Sequence, residues 1–199
     1  MRLTVKNMIK IGVLASGNGS NLQAIINACY EGTINGIVET VVSNHSKAYA
    51  LKRARREGID TYHISSITCP VEDLALTYAL YNVDLVVLAG YMKKIGESLL
   101  TSHKNKIINI HPSLLPKFGG QGMFGRKVHQ AVLEAGETET GVTIHVVDKI
   151  IDHGIILEQK KIKIEENDTV DTLANRLLPV GHKLLVETIN LIEKGIICL

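Results

Sequence analysis

Short apolar runs alternate with amphipathic stretches along the chain, which is typical of strands followed by helices. Residues 8–15 form an apolar run that is followed by glycines and serine and then by the amphipathic stretch 22–30. The alternation predicts further strands at 37–43, 62–64, 85–89 and 107–110, and helices at 48–57 and 72–81. Because these strands read as buried on both faces, the pattern predicts an α/β fold. Its sheet is open, mostly parallel and twisted, with helices on both faces.

The pattern changes at residues 112–125, which hold two prolines and four glycines and therefore predict an irregular loop. Beyond it the sequence predicts a helix at 128–135, strands at 141–147 and 155–164, and a terminal helix at 170–193. Pro179 lies inside that helix and predicts a kink, because proline removes an N–H donor and clashes with the preceding turn. No repeat or linker marks a second domain, so we expect a single domain.

Composition narrows the possible functions. The chain is 45% hydrophobic and 4% aromatic, with a formal net charge of +2, so we expect no nucleic-acid partner and only a small bound anion. Its 3 cysteines include no C-x-x-C pair, which fits neither a disulfide framework nor a thiolate zinc site. The N-terminus lacks the apolar segment of a signal peptide, and no apolar run is long enough for a membrane span. We therefore expect a cytoplasmic protein.

Residues 16–21, Ser-Gly-Asn-Gly-Ser-Asn, lie between the first predicted strand and the first helix. Free N–H groups and the helix dipole attract an anion at such a position, and a single terminal phosphate fits best. The dinucleotide fingerprint fails because its third glycine falls at Leu22, which argues against a nicotinamide dehydrogenase. The alternative is a tight turn in which Ser20 and Gln23 form a capping box.

Asn109 and His111 end an apolar strand, and the period of two places both side chains on one face. An amide can stabilise an oxyanion, and a histidine can accept a proton or, once protonated, stabilise that oxyanion. Asp152 lies in a charged turn between two later strands. A carboxylate close to His111 would raise the pKa of the imidazole above about 6.5. The alternatives are a structural strand-end histidine and a solvated turn acid.

Four motifs occur together in the chain: SGNGSNLQAI (16–25), LAGYMKKI (88–95), NIHPSLLPKF (109–118) and GVTIHVVDKIIDHG (141–154). In this order they resemble the phosphoribosylglycinamide formyltransferases, the folate-dependent transformylases of purine biosynthesis. The resemblance runs from about residue 9 to the final helix. It implies transfer of a formyl group from the co-substrate 10-formyltetrahydrofolate to the glycinamide amine of 5'-phosphoribosylglycinamide, without a metal.

The resemblance also implies roles for individual residues. Asn109, His111 and Asp152 would be catalytic, with Asp152 keeping His111 protonated and oriented. Gly19, Ser20 and Asn21 would bind the substrate phosphate. The residues implied for the folate are Met92, Lys93, Lys94, Ile95, Asn109, Val147, Ile151 and Asp152. A single formyltransferase domain would span 1–199, with a phosphate-binding half over about 8–100 and a catalytic and folate-binding half over about 101–199. Its partners would be small molecules, and the chain would be a monomer or homodimer.

Some positions depart from the family pattern. Lys93 stands where typical bacterial members have arginine, and Gly181 stands where similar enzymes often carry a glutamate that contacts the substrate. These departures motivate an alternative, a non-catalytic nucleotide- or folate-binding descendant of the family. Another folate-dependent formyltransferase, such as methionyl-tRNA formyltransferase, is a further alternative, but it would need an additional tRNA-binding module. We interpret His145 and His153 as core or loop histidines, and leave open whether His129 faces the phosphate.

Overall fold

The structure is a computed structural model that describes residues 8–65 and 70–199. Cys69 and residues 1–7, which entered the predictions about cysteines and a signal peptide, lie outside this part of the chain. Cys29 and Cys198, the cysteines within it, are free thiols.

A 7-stranded sheet forms the centre of the fold. Its strands are β1 (Ile9–Leu14), β2 (Gly36–Ser43), β3 (Asp60–His63), β4 (Leu85–Leu88), β5 (Ile107–His111), β6 (Glu139–Val146) and β7 (Ile156–Lys163). They lie in the order β3-β2-β1-β4-β5-β6-β7. The first five strands pair in parallel, whereas β6 is antiparallel to both β5 and β7. The predicted open, mostly parallel sheet is therefore confirmed.

Helices cover both faces of the sheet, as predicted. They are α1 (Ser20–Tyr30), α2 (Tyr49–Arg56), α3 (Pro70–Ala79), α4 (Glu97–Ser102), α5 (Arg126–Glu134) and α6 (Val170–Glu193). Because successive strand side chains point to opposite faces, Val13 belongs to the core cluster that contains residues of α1, α2, α5 and α6. Leu14 belongs to the cluster that contains residues of α3 and α4. No helix within the described ranges is long and apolar enough to cross a membrane.

The structure departs from the predicted elements in a few places. Helix α4 was not predicted, because its 6 residues are too few to show a helical period. Strand β3 begins at Asp60, whereas the sequence indicated a start at Tyr62. Residues 112–125 contain only turns and irregular backbone, as expected for a segment so rich in glycine and proline.

Helix α6 continues through Pro179 as one helix of 24 residues, so the proline does not end it. The helix begins with a capping box between Thr169 and Thr172. Its buried side, which includes Leu177 and Leu184, packs into the larger core cluster. This burial offsets the local cost of the proline, and the bend predicted at Pro179 stays a prediction.

The buried histidines predict how stability depends on pH. Burial lowers the pKa of His103, His111, His129 and His182 below the ordinary 6.5. The unfolded chain therefore binds more protons at these positions, and we expect the free energy of unfolding to decrease as pH falls below 6.5. His103 contributes because its burial lowers the pKa more than the hydrogen bond from its Nε2 to the Leu80 carbonyl, at 3.1 Å, raises it.

Urea denaturation at pH 7.5, 6.5 and 5.5 measures this dependence. His103→Gln retains an amide donor for Leu80 but cannot titrate, so its stability should fall less steeply with acid than that of the wild type. His45 is exposed, and His45→Gln serves as the control. Equal pH dependence in His103→Gln and the wild type would contradict the prediction.

Candidate active site

The candidate active site lies where β1, β4 and β5 end at one edge of the sheet. The loops that follow these strands surround a pocket of about 340 Å³. Asn21 follows β1, residues 90–94 follow β4, and the glycine-rich loop 119–125 follows β5. Ligands of open parallel sheets bind outside the carboxyl ends of the strands, so the topology alone makes this pocket the first candidate.

Asp152 lies on the polar side of the pocket, in the loop between β6 and β7. Its side chain is only 8% exposed, and its φ of 55° lies in the left-handed region, which aspartate tolerates better than most residues. Its Oδ2 accepts a hydrogen bond of 2.9 Å from the Gly120 N–H and lies 3.4 Å from His111 Nδ1. Its Oδ1 accepts from Asn109 Nδ2 at 3.4 Å. The predicted catalytic side chains therefore meet at one buried carboxylate.

The Asp152 carboxyl is held in its ionised form. Burial acts to raise its pKa, but the nearby His111, which takes up a proton in preference to this carboxyl, and the hydrogen bond from the Gly120 N–H outweigh burial. The pKa is therefore lowered from the ordinary 3.8. A buried carboxylate without such partners would instead be neutralised.

His145 is buried, as the interpretation of it as a core histidine expected, and it contacts Asn109 and Asp152 from behind the pocket. Its Nδ1 lies 2.9 Å from the carbonyl of Val146, and its Nε2 lies 3.0 Å from Asn109 Nδ2. A carbonyl can only accept, so the neutral ring carries its proton on Nδ1 and accepts the Asn109 amide proton at Nε2. In the β5–β6 pairing, His145 lies directly opposite Asn109. The contact between the two residues could not be predicted, because the sequence pattern predicts strands but not the register in which they pair.

His111 is buried at the end of β5, with 4% of its side chain exposed. Its Nε2 lies 2.9 Å from the carbonyl of Phe118, while Nδ1 faces Asp152. Burial lowers the pKa of His111 below 6.5, and the opposing effects of Asp152 and the Phe118 carbonyl do not restore it. Asp152 does act to raise this pKa, but the expectation of a pKa above 6.5 that keeps His111 protonated is wrong for the free protein. The sequence revealed Asp152 as a possible charge partner of His111, but it could not show how deeply His111 is buried.

The glycine loop before α1 has the geometry of an anion site. Gly19 is the N-cap of α1, with φ 76°, and no side chain caps the helix. The alternative capping box is wrong, because the Gln23 side chain bonds to Asn27 and Arg53 instead. Asn21 lines the pocket together with Asn109, His111 and Asp152, whereas Gly19 and Ser20 adjoin it without lining it.

The residues expected at the folate divide into two groups. Met92, Lys93, Lys94, Asn109, Ile151 and Asp152 line the pocket. Ile95 and Val147 instead pack in the smaller core cluster behind it. These two residues support the walls of the pocket rather than facing its space.

The glycine-rich loop, α5 and α6 close the remaining side of the pocket. His129 on α5 lines the pocket and is 6% exposed, so it faces the space in which the substrate phosphate was expected rather than solvent. Gly181 lies on the wall formed by α6, where an added Cβ would be 3.2 Å from Ile110 Cδ1 and 3.7 Å from Val142. This wall is apolar where the family pattern suggested a carboxylate.

The described part of the chain contains no group of three or more His, Cys, Asp or Glu side chains that could hold a metal ion. His153 pairs with Asp148 at 3.0 Å on the surface. That contact agrees with the interpretation of His153 as a loop histidine.

Comparisons with known proteins place this geometry in a family. Residues 9–189 match the family described as formyl transferase. The chain belongs to the formyl transferase family. The match spans β1 to most of α6 and contains every residue that lines the pocket.

Named relatives in the family agree with this assignment. The chain is 40% identical to the chloroplastic phosphoribosylglycinamide formyltransferase of Arabidopsis thaliana, covering 92% of this chain and 65% of that protein. It is 36% identical to phosphoribosylglycinamide formyltransferase of Escherichia coli, covering 88% and 83% respectively. The structure of glycinamide ribonucleotide transformylase 1 from Symbiobacterium toebii superposes with a TM-score of 0.91, at 41% identity, over 100% of this chain and 94% of that one.

The contact between His145 and Asn109 predicts that substitutions at the two positions are not additive. We expect a coupling free energy of about 0.5–3 kcal/mol in a cycle of His145→Ala, Asn109→Ala and the double variant. The physical reason is that either single change leaves a buried polar atom without its partner, and the second change then costs less. Urea denaturation at pH 7.5 gives the four free energies of unfolding.

The matched control combines His103→Ala with Asn109→Ala, because His103 contacts Leu80 and Ser102 instead. Those two changes should be additive. Additivity of His145→Ala with Asn109→Ala as well would show that the contact contributes nothing.

Proposed function

We propose that this chain transfers the formyl group of 10-formyltetrahydrofolate to the glycinamide amine of 5'-phosphoribosylglycinamide, a step of purine biosynthesis. The observation that carries the proposal is the convergence of Asn109, His111 and Asp152 in a pocket that Asn21 also lines. The relatives described above, which are named for this activity, support it.

The pocket suits a folate as formyl donor. Met92, Phe124 and Ile151 are 43%, 45% and 38% exposed and offer apolar surface to a ring system. Lys93 and Lys94 line the same space and can attract the carboxylates of a folate tail. Lysine lacks the planar fork of arginine, so Lys93 supplies a charge rather than a bidentate contact.

The donor supplies an electrophilic formyl carbon, and the chain supplies groups for charge and protons. Negative charge develops on the formyl oxygen as the amine forms its bond to carbon. Asn109 is held by its 3.0 Å contact with His145, whereas its contact with Asp152 is longer, at 3.4 Å. The Asn109 N–H that makes the longer contact is the one that can also donate to the developing oxyanion.

His111 and Asp152 together provide a place for the proton released by the amine. A neutral His111 that carries its proton on Nε2 presents a bare Nδ1 to Asp152 Oδ2 at 3.4 Å. Two basic atoms at this distance attract a proton, and the carboxylate then stabilises the imidazolium. The stored proton is passed on to the leaving nitrogen as the bond between carbon and the donor nitrogen breaks.

The first turn of α1 is the proposed site of the substrate phosphate. Gly19, Ser20 and Asn21 carry N–H groups that helix geometry leaves without intrahelical partners. The absence of a side-chain cap at α1 supports this role. Phosphate is favoured there by these donors and by the helix dipole.

The proposal extends to the organisation of the protein. It has a single domain across 1–199, with a phosphate-binding half over about 8–100 and a catalytic and folate-binding half over about 101–199. Its ligands are small molecules, with no nucleic-acid, membrane or metal partner, and it acts as a monomer or homodimer. A cytoplasmic location is supported by the free thiols of Cys29 and Cys198, which fit a reducing compartment.

The direct test measures formylation of 5'-phosphoribosylglycinamide with 10-formyltetrahydrofolate and follows tetrahydrofolate and the formylated product. We expect turnover by the wild type and a kcat lower by about 100-fold or more in Asp152→Asn, which removes the counter-charge of the His111 imidazolium. His111→Ala should lose activity to a similar extent while still folding.

Asp148→Asn is the matched control, because Asp148 lies in the same loop but pairs with exposed His153. Its activity should stay within about threefold of the wild type. Full activity in Asp152→Asn would overturn the mechanism. Absence of turnover by folded wild type would favour the non-catalytic binding descendant.

A further inference from the structure

Arg53, on α2, is bonded to the glycine loop that precedes α1. Its Nε donates to the Asn18 carbonyl at 2.9 Å, and its Nη2 donates to Asn18 Oδ1 at 2.8 Å. Its Nη1 donates to Gln23 Oε1, one turn into α1, at 3.2 Å. The guanidinium also stacks on the ring of Tyr49, at 4.8 Å from the centroid. One side chain therefore ties the loop, the first turn of α1 and α2 together.

Backbone contacts between α2 and the loop also hold the loop in place. The Ala50 N–H donates to the Gly17 carbonyl at 3.0 Å. Gly19 packs so closely on Ala50 that an added Cβ would lie 2.8 Å from the Ala50 Cα. The carbonyls of Gly17 and Asn18 are thus engaged by α2, and the loop is held in the conformation that begins α1 at Ser20.

The three partners of the Arg53 guanidinium are neutral oxygen atoms. Across residues 8–65 and 70–199, no carboxylate forms an ion pair with Arg53. Its positive charge is therefore not cancelled locally and adds to the positive potential at the N-terminus of α1. An anion bound at that turn would be attracted by both.

We propose that Arg53 is a positioning residue that sets the affinity for the acceptor's phosphate monoester without touching the reacting atoms. It does so by fixing the loop 18–21 and by placing an uncompensated charge behind it. This inference rests on the proposed function, because it assigns the phosphate of the acceptor to the first turn of α1. It predicts that replacing Arg53 weakens the affinity for the phosphorylated acceptor and leaves the affinity for the formyl donor unchanged.

The test compares Arg53→Met and Arg53→Lys with Arg55→Met. Arg55 lies on the same helix and donates to Thr61 Oγ1 on β3, away from the loop, so its replacement removes the same charge without touching the loop. For Arg53→Met we expect the KM for the phosphorylated acceptor to rise about tenfold. The kcat and the KM for the formyl donor should stay within about twofold, and Arg55→Met should resemble the wild type.

Two further readouts separate positioning from general damage. Glycinamide riboside, the acceptor without its phosphate, should show the same kcat/KM with the wild type and Arg53→Met. Arg53→Lys keeps the charge, but a single ammonium group cannot donate to all three oxygen atoms that the planar guanidinium reaches. The KM of this variant for the phosphorylated substrate should therefore lie between those of the wild type and Arg53→Met. Equal losses with both acceptors, or equal effects of Arg53→Met and Arg55→Met, would overturn the proposal.

Calorimetric titration with inorganic phosphate keeps the test independent of turnover. We expect the wild type and Arg55→Met to bind phosphate about tenfold more tightly than Arg53→Met. If the wild type binds phosphate in this way but turns over neither acceptor, the proposed function fails and the role of Arg53 stands. Equal phosphate affinity in all variants would overturn the role of Arg53 whatever the activity.

Discussion

The buried carboxylate of Asp152 is the constraint around which the site is arranged. An ionised group this deeply buried is stable only when hydrogen bonds and opposite dipoles replace water. The chain supplies them from β5 through Asn109, which is held in place by His145 of β6, and from the glycine-rich loop through the Gly120 N–H. Elements distant in sequence are therefore held together by the need to satisfy one charge.

This arrangement gives two neighbouring histidines different tasks. His145 is fixed by its own strand, donating from Nδ1 to Val146 and accepting from Asn109, and so it orients the amide. His111 donates from Nε2 to Phe118 and leaves Nδ1 facing Asp152. Because burial lowers the pKa of His111, the free site is prepared to receive a proton rather than to hold one. Phe118 directly precedes the glycine-rich loop, so the hydrogen bond to its carbonyl connects this loop to the imidazole of His111.

The sequence predicted the parts of the structure that depend on local pattern. The apolar periods indicated the open sheet and both helical layers, and the period of two indicated that Asn109 and His111 share a face. The role of His145 could not be predicted, because it depends on the antiparallel register that sets it opposite Asn109. The pKa of His111 was predicted in the wrong direction, because burial is a property of the packed fold. The role of Arg53 could not be predicted either, since its contacts with Asn18 and Gln23 join segments that are adjacent only in the fold.

The central claim is that His111 is neutral in the free protein and presents a bare Nδ1 to an ionised Asp152, while His145 carries a proton on Nδ1. Imidazole nitrogen-15 chemical shifts, measured by NMR on the free protein at pH 7.5, test it most directly. We predict opposite tautomers, with the proton on Nε2 of His111 and on Nδ1 of His145. An imidazolium signal for His111 at this pH, or the same tautomer for both rings, would contradict the claim.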